Sequence, residues 1–356
     1  MGVGPLQGLS FVVVTYNNAN TIAECLTSVF AQRAKPLEVF VVDNASTDRT
    51  LRVIESGFPD AVLIRNERNV GFGAANNTAA RAAKGSMLGM VNPDAVLDRE
   101  WSYEVALVIR SHPRCAAAEG KLLLAERPDF INCAGSSINL LGFGCMNHYG
   151  ESAAVASMEK TVGYASGAAF VVRRDAFLEV GGFDESYFLY QEDVELGLRL
   201  YEAGWKIRYV PRAIAYHHYR PNLSDTKLRY LEANRWKTLA RHMPVGYFVI
   251  CGPLIALFEA GLVASLISGG LLPSKVKAIL DFLKDLRETL RARRTIIHAA
   301  AVPWAAMQLI TDDFPTIIPR TDLARVLGER FITAYHRAFL KRYALTWPQE
   351  GDVRGT

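Results

Sequence analysis

Four short apolar runs, each stopping abruptly on polar residues, constrain this chain more than anything else in it. Leu9-Ser10-Phe11-Val12-Val13-Val14-Thr15 stops at Tyr16-Asn17-Asn18-Ala19-Asn20, and Glu38-Val39-Phe40-Val41-Val42 stops at Asp43-Asn44-Ala45-Ser46-Thr47-Asp48. Ala61 to Ile64 is the third run, and Met87 to Val91 stops at Asn92-Pro93-Asp94. Runs of this length, rich in β-branched residues, predict buried strands. Between them the spacing predicts helices: Thr21 to about Ala31, with Glu24 in the capping-box position, a second to about Ser56, and Gly73 to Ala83. Strands alternating with helices imply an α/β fold, a mostly parallel sheet with helices on both faces. Ligands of such sheets bind beyond the carboxyl ends of the strands. That edge would carry Thr15-Tyr16-Asn17, Asp43-Asn44, Asn69-Val70-Gly71 and Asn92-Pro93-Asp94, a polar rim suited to a nucleotide. A nicotinamide cofactor fits poorly, because the glycines of Gly71-Phe72-Gly73 follow the third strand and lack the third glycine of a dinucleotide fingerprint.

Two acidic positions stand out. Asp94 would end a central strand beside a proline that fixes the turn, where a carboxylate can hold a hard divalent ion against a diphosphate; a plain Asx turn is the structural alternative. The second is Glu192-Asp193, reached through a Gly181-Gly182 bend and the aromatic run Tyr187, Phe188 and Tyr190. The apolar spacing of Val194, Leu196, Leu198, Leu200 and Tyr201 predicts a helix behind it, so both acids would occupy the first turn, where the positive helix end favours carboxylates. A walled carboxylate there is a candidate general base, with an acidic N-cap as the alternative.

At 356 residues, half of them hydrophobic and 21% charged, the chain is globular and long enough for one large domain with an extension, or for two. Cys25, Cys115, Cys133, Cys145 and Cys251 are scattered and odd in number, which argues against a disulfide framework or zinc site and for a reducing compartment. Met1 to Gly8 lack the features of a signal peptide, so the N-terminal part is expected in the cytoplasm. From Pro273 onward there are 14 Lys and Arg against 9 Asp and Glu, so the net charge of +4 is C-terminal. No aromatic-interleaved basic patch accompanies it, which points away from nucleic acid and towards an anionic membrane surface.

Taken in order, Val14-Thr15-Tyr16-Asn17, Val42-Asp43-Asn44-Ala45-Ser46-Thr47-Asp48, Asn69-Val70-Gly71-Phe72-Gly73, Asn92-Pro93-Asp94, and Gly182-Phe183-Asp184-Glu185 leading to Glu192-Asp193 resemble family 2 glycosyltransferases of the GT-A fold, over roughly residues 9 to 240. Within that family the chain looks most like the bacterial rhamnosyltransferase-like branch, in which Asn-Pro-Asp stands where other members carry Asp-x-Asp. One carboxylate then replaces two, and the metal needs another ligand. The resemblance implies His217 for that role, with His218 as the fallback. It also implies inverting transfer of a sugar, rhamnose in this branch, from a nucleotide-diphosphate donor to a saccharide or lipid-linked acceptor in cell-surface polysaccharide synthesis. Asp43 and Asn44 would read base and ribose, Thr15, Tyr16 and Asn17 would line the nucleotide pocket, and Asn69, Gly71 and Asn92 would complete it. Asp94 and His217 would hold Mg²⁺ or Mn²⁺, Asp193 would be the base, and Glu192 would orient its neighbour or an acceptor hydroxyl. Gly163 to Arg174 reads as a small-residue loop entering a strand close to the donor sugar, and Glu119 to Met158 as a hairpin or mobile acceptor loop. A catalytically silent sugar- or lipid-binding module and a nicotinamide-dependent oxidoreductase are the competing classes.

The expected division is a catalytic domain over 1–240 and a helical extension over 241–356. Leu228 to His242 predicts a charged helix closed by Pro244. Val245 to Leu272 is apolar but for Glu259, with Gly252-Pro253 and Gly269-Gly270 expected to break it. Basic residues flank both ends, Lys237 and Arg241 before, Lys275 and Lys277 after, which favours an in-plane or re-entrant segment on the inner face of the plasma membrane. A spanning element and a core or homo-oligomer helix are the alternatives. Arg287, Arg291, Arg293 and Arg294 would suit lipid phosphates or a lipid diphosphate, or form a solvated face.

Overall fold

The computed structural model describes residues 8–220, 223–301, 306–313, 330 and 332–340; the end of the expected extension, 341–356, lies outside them. The chain runs β1 (Leu9–Thr15), α1 (Ile22–Phe30), β2 (Glu38–Asp43), α2 (Thr50–Gly57), β3 (Val62–Arg65), α3 (Phe72–Ala82), β4 (Met87–Val91), β5 (Ala95–Leu97), α4 (Trp101–Ser111), β6 (Cys115–Leu124), β7 (Arg127–Cys133), β8 (Ser136–Asn139), β9 (Gly144–Met146), β10 (Lys160–Thr161), β11 (Ala169–Arg173), α5 (Arg174–Glu179), α6 (Glu192–Glu202), β12 (Lys206–His217), α7 (Asp225–His242), α8 (Val245–Ser268) and α9 (Leu272–Ala299). It divides into a first unit, Met1–Ser136, Met146–Phe188 and Trp205–Arg220, and a second, Ser137–Cys145, Leu189–Gly204 and Pro221–Thr356.

The first unit is built on a ten-stranded mixed sheet ordered β10-β12-β6-β11-β4-β1-β2-β3, with β5 beside β12 and β7 beside β6. It is parallel from β4 through β1 and β2 to β3, and again between β6 and β12; β11 is inserted antiparallel between β4 and β6. Every residue of β1 and β4 is buried, so both faces of the central sheet are covered, which is why these strands read as continuous apolar runs. Leu9, Phe11 and Val13 of β1 share one core cluster with Ile22, Cys25, Leu26 and Val29 of α1 and Trp101 and Val105 of α4. The α1 set recurs at helical spacing and presents one apolar stripe.

The start of α1 departs from expectation. The Thr21 side chain makes no capping bond, and its hydroxyl is buried without a partner. The backbone N–H groups of Thr21 and Ile22 donate instead to Asn18 O, at 3.1 and 3.0 Å. A main-chain turn from the Asn-rich cluster thus replaces the capping box. Within Glu119 to Met158, β6 and β7 pair as an antiparallel hairpin. Farther on, β12 shifts register between Val210 and Ile214, a bulge around Pro211, which has no N–H to give to a ladder. Beyond the bulge, His217 lies opposite Ala95 of β5, one residue from Asp94.

The second unit contains α6 to α9 and a small sheet in which β13 (Ile310–Thr311) joins β8 and β9. Ser224 caps α7 by accepting from Lys227 N. Gly252-Pro253 does not break α8, which runs unbroken to Ser268 before Gly269-Gly270 ends it. Pro253 and Val249 both lie on the exposed side, where solvent can meet the carbonyl that the proline leaves unpaired. Glu259 is not an isolated charge in an apolar helix: it pairs with Arg235 of α7 and, at 2.6 Å, with Lys275 of α9. Nor do the four arginines of α9 share a face. Arg293 donates to Ala240 O and Met243 O, at 2.8 and 2.6 Å, where α7 ends, whereas Arg287, Arg291 and Arg294 are exposed.

Candidate active site

Thr15 and Asp43 face one another in the parallel register of β1 and β2, so both strands deliver their polar ends to one edge of the first unit. Asn18 Oδ1 accepts from Thr15 Oγ1 and Tyr16 N at 3.1 and 2.9 Å. Asn17, at φ 58°, donates its N–H to Ser46 Oγ and accepts from Thr47 N at Oδ1, which stitches the two loops together. The Tyr16 ring is left half exposed at 47%. Asp43 is buried; Oδ2 accepts from Ser46 N at 3.0 Å, whereas Oδ1 has no hydrogen-bond partner. Asn44 gives its amide to Gly71 O and accepts from Asn66 Nδ2, and Asn69 Oδ1 accepts from Gly71 N. These amides therefore shape the rim between β2 and α3. Gly71 has φ 89°, and a Cβ there would fall 2.5 Å from Phe188 O, so the turn admits only glycine. An open cleft of about 470 Å³ beside Asn69 is lined by Asn66, Arg68, Thr78, Arg81 and Phe188; neither member of the next pair lines it.

That pair is Asp94 and His217. Asn92 N donates to Ala168 O, Ala95 N donates to Asn92 O, and His218 N donates to Asp94 O, which fixes the turn after β4 against β12. His217 Nε2 stands 3.3 Å from Asp94 Oδ1, a buried oxygen that makes no well-formed hydrogen bond. Burial pushes the Asp94 carboxyl up, but His217 outweighs it and holds it below the usual range. Asn132 Oδ1 faces His217 Nδ1 at 2.9 Å, and an amide oxygen can only accept, so the proton of a neutral ring belongs on Nδ1 and the Nε2 lone pair faces the carboxylate. His218 instead lies against Glu126 and Glu24, at 3.2 and 3.4 Å. Of the two histidines, His217 is the one brought to Asp94.

Three supports were not singled out in the sequence. Asn132 is one. Glu119, fully buried in β6, accepts from Ser136 N, Ser136 Oγ and Ser166 N at 2.7, 2.9 and 2.9 Å, and so fastens the small-residue loop before β11. Asn77 of α3 brackets Phe183, accepting from its N–H and donating to its O at 2.9 and 2.8 Å. Gly182 has φ 74°, and a Cβ there would strike Asn77 Oδ1 at 2.5 Å. A lone acid in the run Ala116-Ala117-Ala118-Glu119 and an asparagine pair in a small-residue helix were the available signals.

In the second unit Glu192 and Asp193 occupy the first turn of α6, as the spacing predicts. Of the expected aromatic wall, Tyr187 and Phe188 belong to the first unit and Tyr190 to the second. Tyr190 and Gln191 are both left-handed, at φ 66° and 69°, a strained conformation for side chains of this size. Asn234 of α7 donates to both Leu189 O and Tyr190 O, and Gln191 donates to Gly142 O, which holds the strained pair. Glu192 is buried with Oε2 unpartnered; burial and then the charge of Asp193 push it up to about 8. Glu195 is treated in the opposite way. Burial raises it, but Arg199, bonded at 2.8 and 2.6 Å, and His242 hold it far below the carboxylate range.

The sequence profile of glycosyl transferase family 2 matches residues 10–181, and that of glycosyl transferase family 21 matches residues 132–318. The N-acetylglucosaminyl-diphospho-decaprenol L-rhamnosyltransferase of Mycobacterium tuberculosis is 32% identical over 237 residues, 59% of this chain and 76% of that protein. A poly-beta-1,6-N-acetyl-D-glucosamine synthase of Staphylococcus aureus is 22% identical over 220 residues, and the chain spans about half (51%) of its length. Among solved structures, GalNAc-T7 with UDP, GalNAc and Mn²⁺ superposes at a TM-score of 0.55 with 17% identity, covering 70% of this chain and 51% of that one. The mannosyltransferase PcManGT of Pyrobaculum calidifontis, in complex with GDP-Man and Mn²⁺, does so at 0.50 with 20% identity, covering 82% and 85%. These two likenesses bear on the fold alone, which is GT-A. The chain therefore belongs to the family 2 glycosyltransferases, in their rhamnosyltransferase-like branch.

Proposed function

We propose that this glycosyltransferase moves a sugar, with inversion, from a nucleotide-diphosphate donor to a lipid-linked saccharide at the cytoplasmic face of the membrane, and that the sugar is rhamnose. The Mycobacterium tuberculosis relative, named for L-rhamnosyl transfer to N-acetylglucosaminyl-diphospho-decaprenol, supports both sugar and acceptor class. The observation that carries the reading is the Asp94 and His217 pair. His217 Nε2 and Asp94 Oδ1, 3.3 Å apart, are spaced as adjacent ligands around an ion with bonds of about 2.0–2.1 Å, and a neutral ring with its proton on Nδ1 turns its Nε2 lone pair to the same point as the carboxylate. These residues fit Mg²⁺ or Mn²⁺. Among the described residues no set of three or more His, Cys, Asp and Glu side chains converges there, so diphosphate oxygens and water would complete the shell. Bound there, the ion would neutralise charge on the leaving diphosphate.

The protein's own groups supply the rest. Asp43 Oδ1, buried and open, would accept an N–H of the base, with Thr15 and Tyr16 beside it. The loop through Ser166, tied down by Glu119, would bring main chain close to the sugar. Asp193 would take the proton of the acceptor hydroxyl as its oxygen attacks the anomeric carbon opposite the departing diphosphate. Glu192, neutral at pH 7, would donate a hydrogen bond without adding a second buried negative charge. The experiment is a panel of nucleotide sugars assayed for Mn²⁺- or Mg²⁺-dependent hydrolysis and transfer, with Asp193→Asn alongside. Transfer by the variant should fall by ~10²- to 10⁴-fold, with donor binding by calorimetry retained. Undiminished transfer would remove Asp193 as the base, and hydrolysis indifferent to EDTA would remove the metal.

A further inference from the structure

We propose that α8 and α9 form an in-plane docking surface for an anionic phospholipid bilayer. Along α8 the exposed positions recur at helical spacing, and none carries a charge; Val245 and Val249 are each 73% exposed, Leu257 62% and Ile267 61%. Over 24 residues that stripe is about 36 Å long. The opposite side is fastened at separate points from its first turn to its last. Tyr247 donates to Leu140 O, Phe258 meets Phe143 edge-on at 5.7 Å, Glu259 pairs with Arg235 and Lys275, and Leu266 is buried. A helix tied in this way cannot cross a bilayer without carrying a buried charge cluster with it, whereas lying in the interface immerses only the uncharged stripe.

The adjoining helix selects the lipid. Val276, Ile279, Leu280, Leu283 and Leu290 of α9 are exposed at spacings of three, four and seven, with Leu280 at 59% and Leu283 at 54%. The acids of α9 are drawn towards α7, Asp281 to Arg229 at 2.6 Å and Asp285 to Lys237 at 2.7 Å. Exposed Lys277, Lys284, Arg287 and Arg294 are left around the apolar stripe, while Glu288 is engaged by Arg291. Such a surface complements anionic headgroups and repels a second copy of itself. The inference takes from the proposed function only that the acceptor is lipid-linked. The flotation itself contains neither donor nor acceptor, so its failure removes the membrane surface and leaves the transferase reading standing.

The full chain should float with vesicles of phosphatidylcholine and phosphatidylglycerol and stay behind with phosphatidylcholine alone. Leu280→Glu and Val249→Glu, both at exposed positions, should cut the floated fraction at least tenfold. Lys284→Glu with Arg287→Glu should do the same, since each cation near the surface is worth about fivefold. Floated protein should be stripped by alkaline carbonate, and donor hydrolysis by the variants should be unchanged. Three results would overturn the inference: no flotation on either vesicle, carbonate-resistant flotation marking a spanning helix, or a soluble dimer by light scattering that Leu280→Glu dissolves while flotation persists.

Discussion

A charge cluster in the second unit and the strand edge of the first handle buried charge in opposite ways. In the second unit, Glu232, Arg235, Glu259 and Lys275 form a closed set: Arg235 reaches Glu232 at 2.8 Å and also Glu259, and Lys275 reaches both acids. At the strand edge of the first, Asp43 Oδ1 and Asp94 Oδ1 are buried and make no hydrogen bond. A charge completed from within the protein is architecture. A buried carboxylate oxygen without a donor carries a desolvation cost that a ligand from outside can relieve. By the same criterion Glu192, buried with Oε2 unpartnered, departs from the closed set of the second unit, as the role proposed for it beside Asp193 requires.

The strongest way to break that contrast is to neutralise one charge of each kind. Arg235→Met leaves Glu232 and Glu259 sharing only Lys275 and should cost ~3–5 kcal/mol in denaturant unfolding. Turnover per folded molecule should stay within about twofold, since the Arg235 side chain is fully buried among its partners. Asp94→Asn should act mainly on the other quantity, lowering turnover by ~10²- to 10³-fold with at most a small loss of thermal stability, the loss coming from its contact with His217. An Asp94→Asn protein that unfolds, or an Arg235→Met protein that folds well and is inactive, would show that the two classes are not distinct.

How much of this was legible in the sequence follows the same line. The buried strands were, because a strand covered on both faces must be apolar at every position; Leu9–Thr15 and Met87–Val91 have the bounds that their composition predicts. The acids at the start of α6 were also legible, because helical spacing begins there. What the sequence withheld was pairing between distant segments. Nothing in the run Ala169–Arg173 says that it lies antiparallel between β4 and β6. Asn132 and His217 are 85 residues apart, and neither residue type announces the other. The course of α8 through Pro253 was not legible because packing of its neighbours overrides local propensity there: Cys251, Leu254 and Ile255 are buried while Pro253 faces outward.

A second test uses pH, because closed sets titrate outside the ordinary range. His242 Nδ1 faces Glu202 at 3.0 Å and its Nε2 lies 3.5 Å from Glu195. Burial lowers the imidazole, but the two carboxylates outweigh it and raise it to about 9. A raised histidine stabilises fully below its ordinary value of about 6.5, and that contribution is lost as pH climbs through about 9. Glu192, raised to about 8, also favours the folded state less as pH rises, but only up to that point. Above about pH 8 the buried thiols of Cys25, Cys115, Cys133 and Cys251, all pushed up by burial, add a slope of the same sign, so His242 is reported by the part of the slope that its substitution removes, at most about 1.4 kcal/mol per pH unit. His242→Gln should lower stability at pH 7 and reduce the slope between pH 8 and 9. A slope there equal to that of the unsubstituted protein would mean that His242 is neutral in its pocket.

The smallest effect sharpens the contrast most, because it touches the open pair without altering either member. Asn132 is buried and contributes to the site only through His217 Nδ1, so removing its oxygen leaves Asp94 and His217 in place but frees the ring to flip or change tautomer. Loss of such a support typically weakens metal affinity by ~10- to 100-fold. Asn132→Ala should raise the Mn²⁺ concentration for half-activation by that factor and leave turnover at saturating Mn²⁺ within about threefold. Asn132→Asp, whose carboxylate also accepts from Nδ1, should restore the affinity or improve it. A fall in turnover with unchanged Mn²⁺ dependence would assign Asn132 to packing, and the gap between Asp94 and His217 would then need an occupant other than a metal ion.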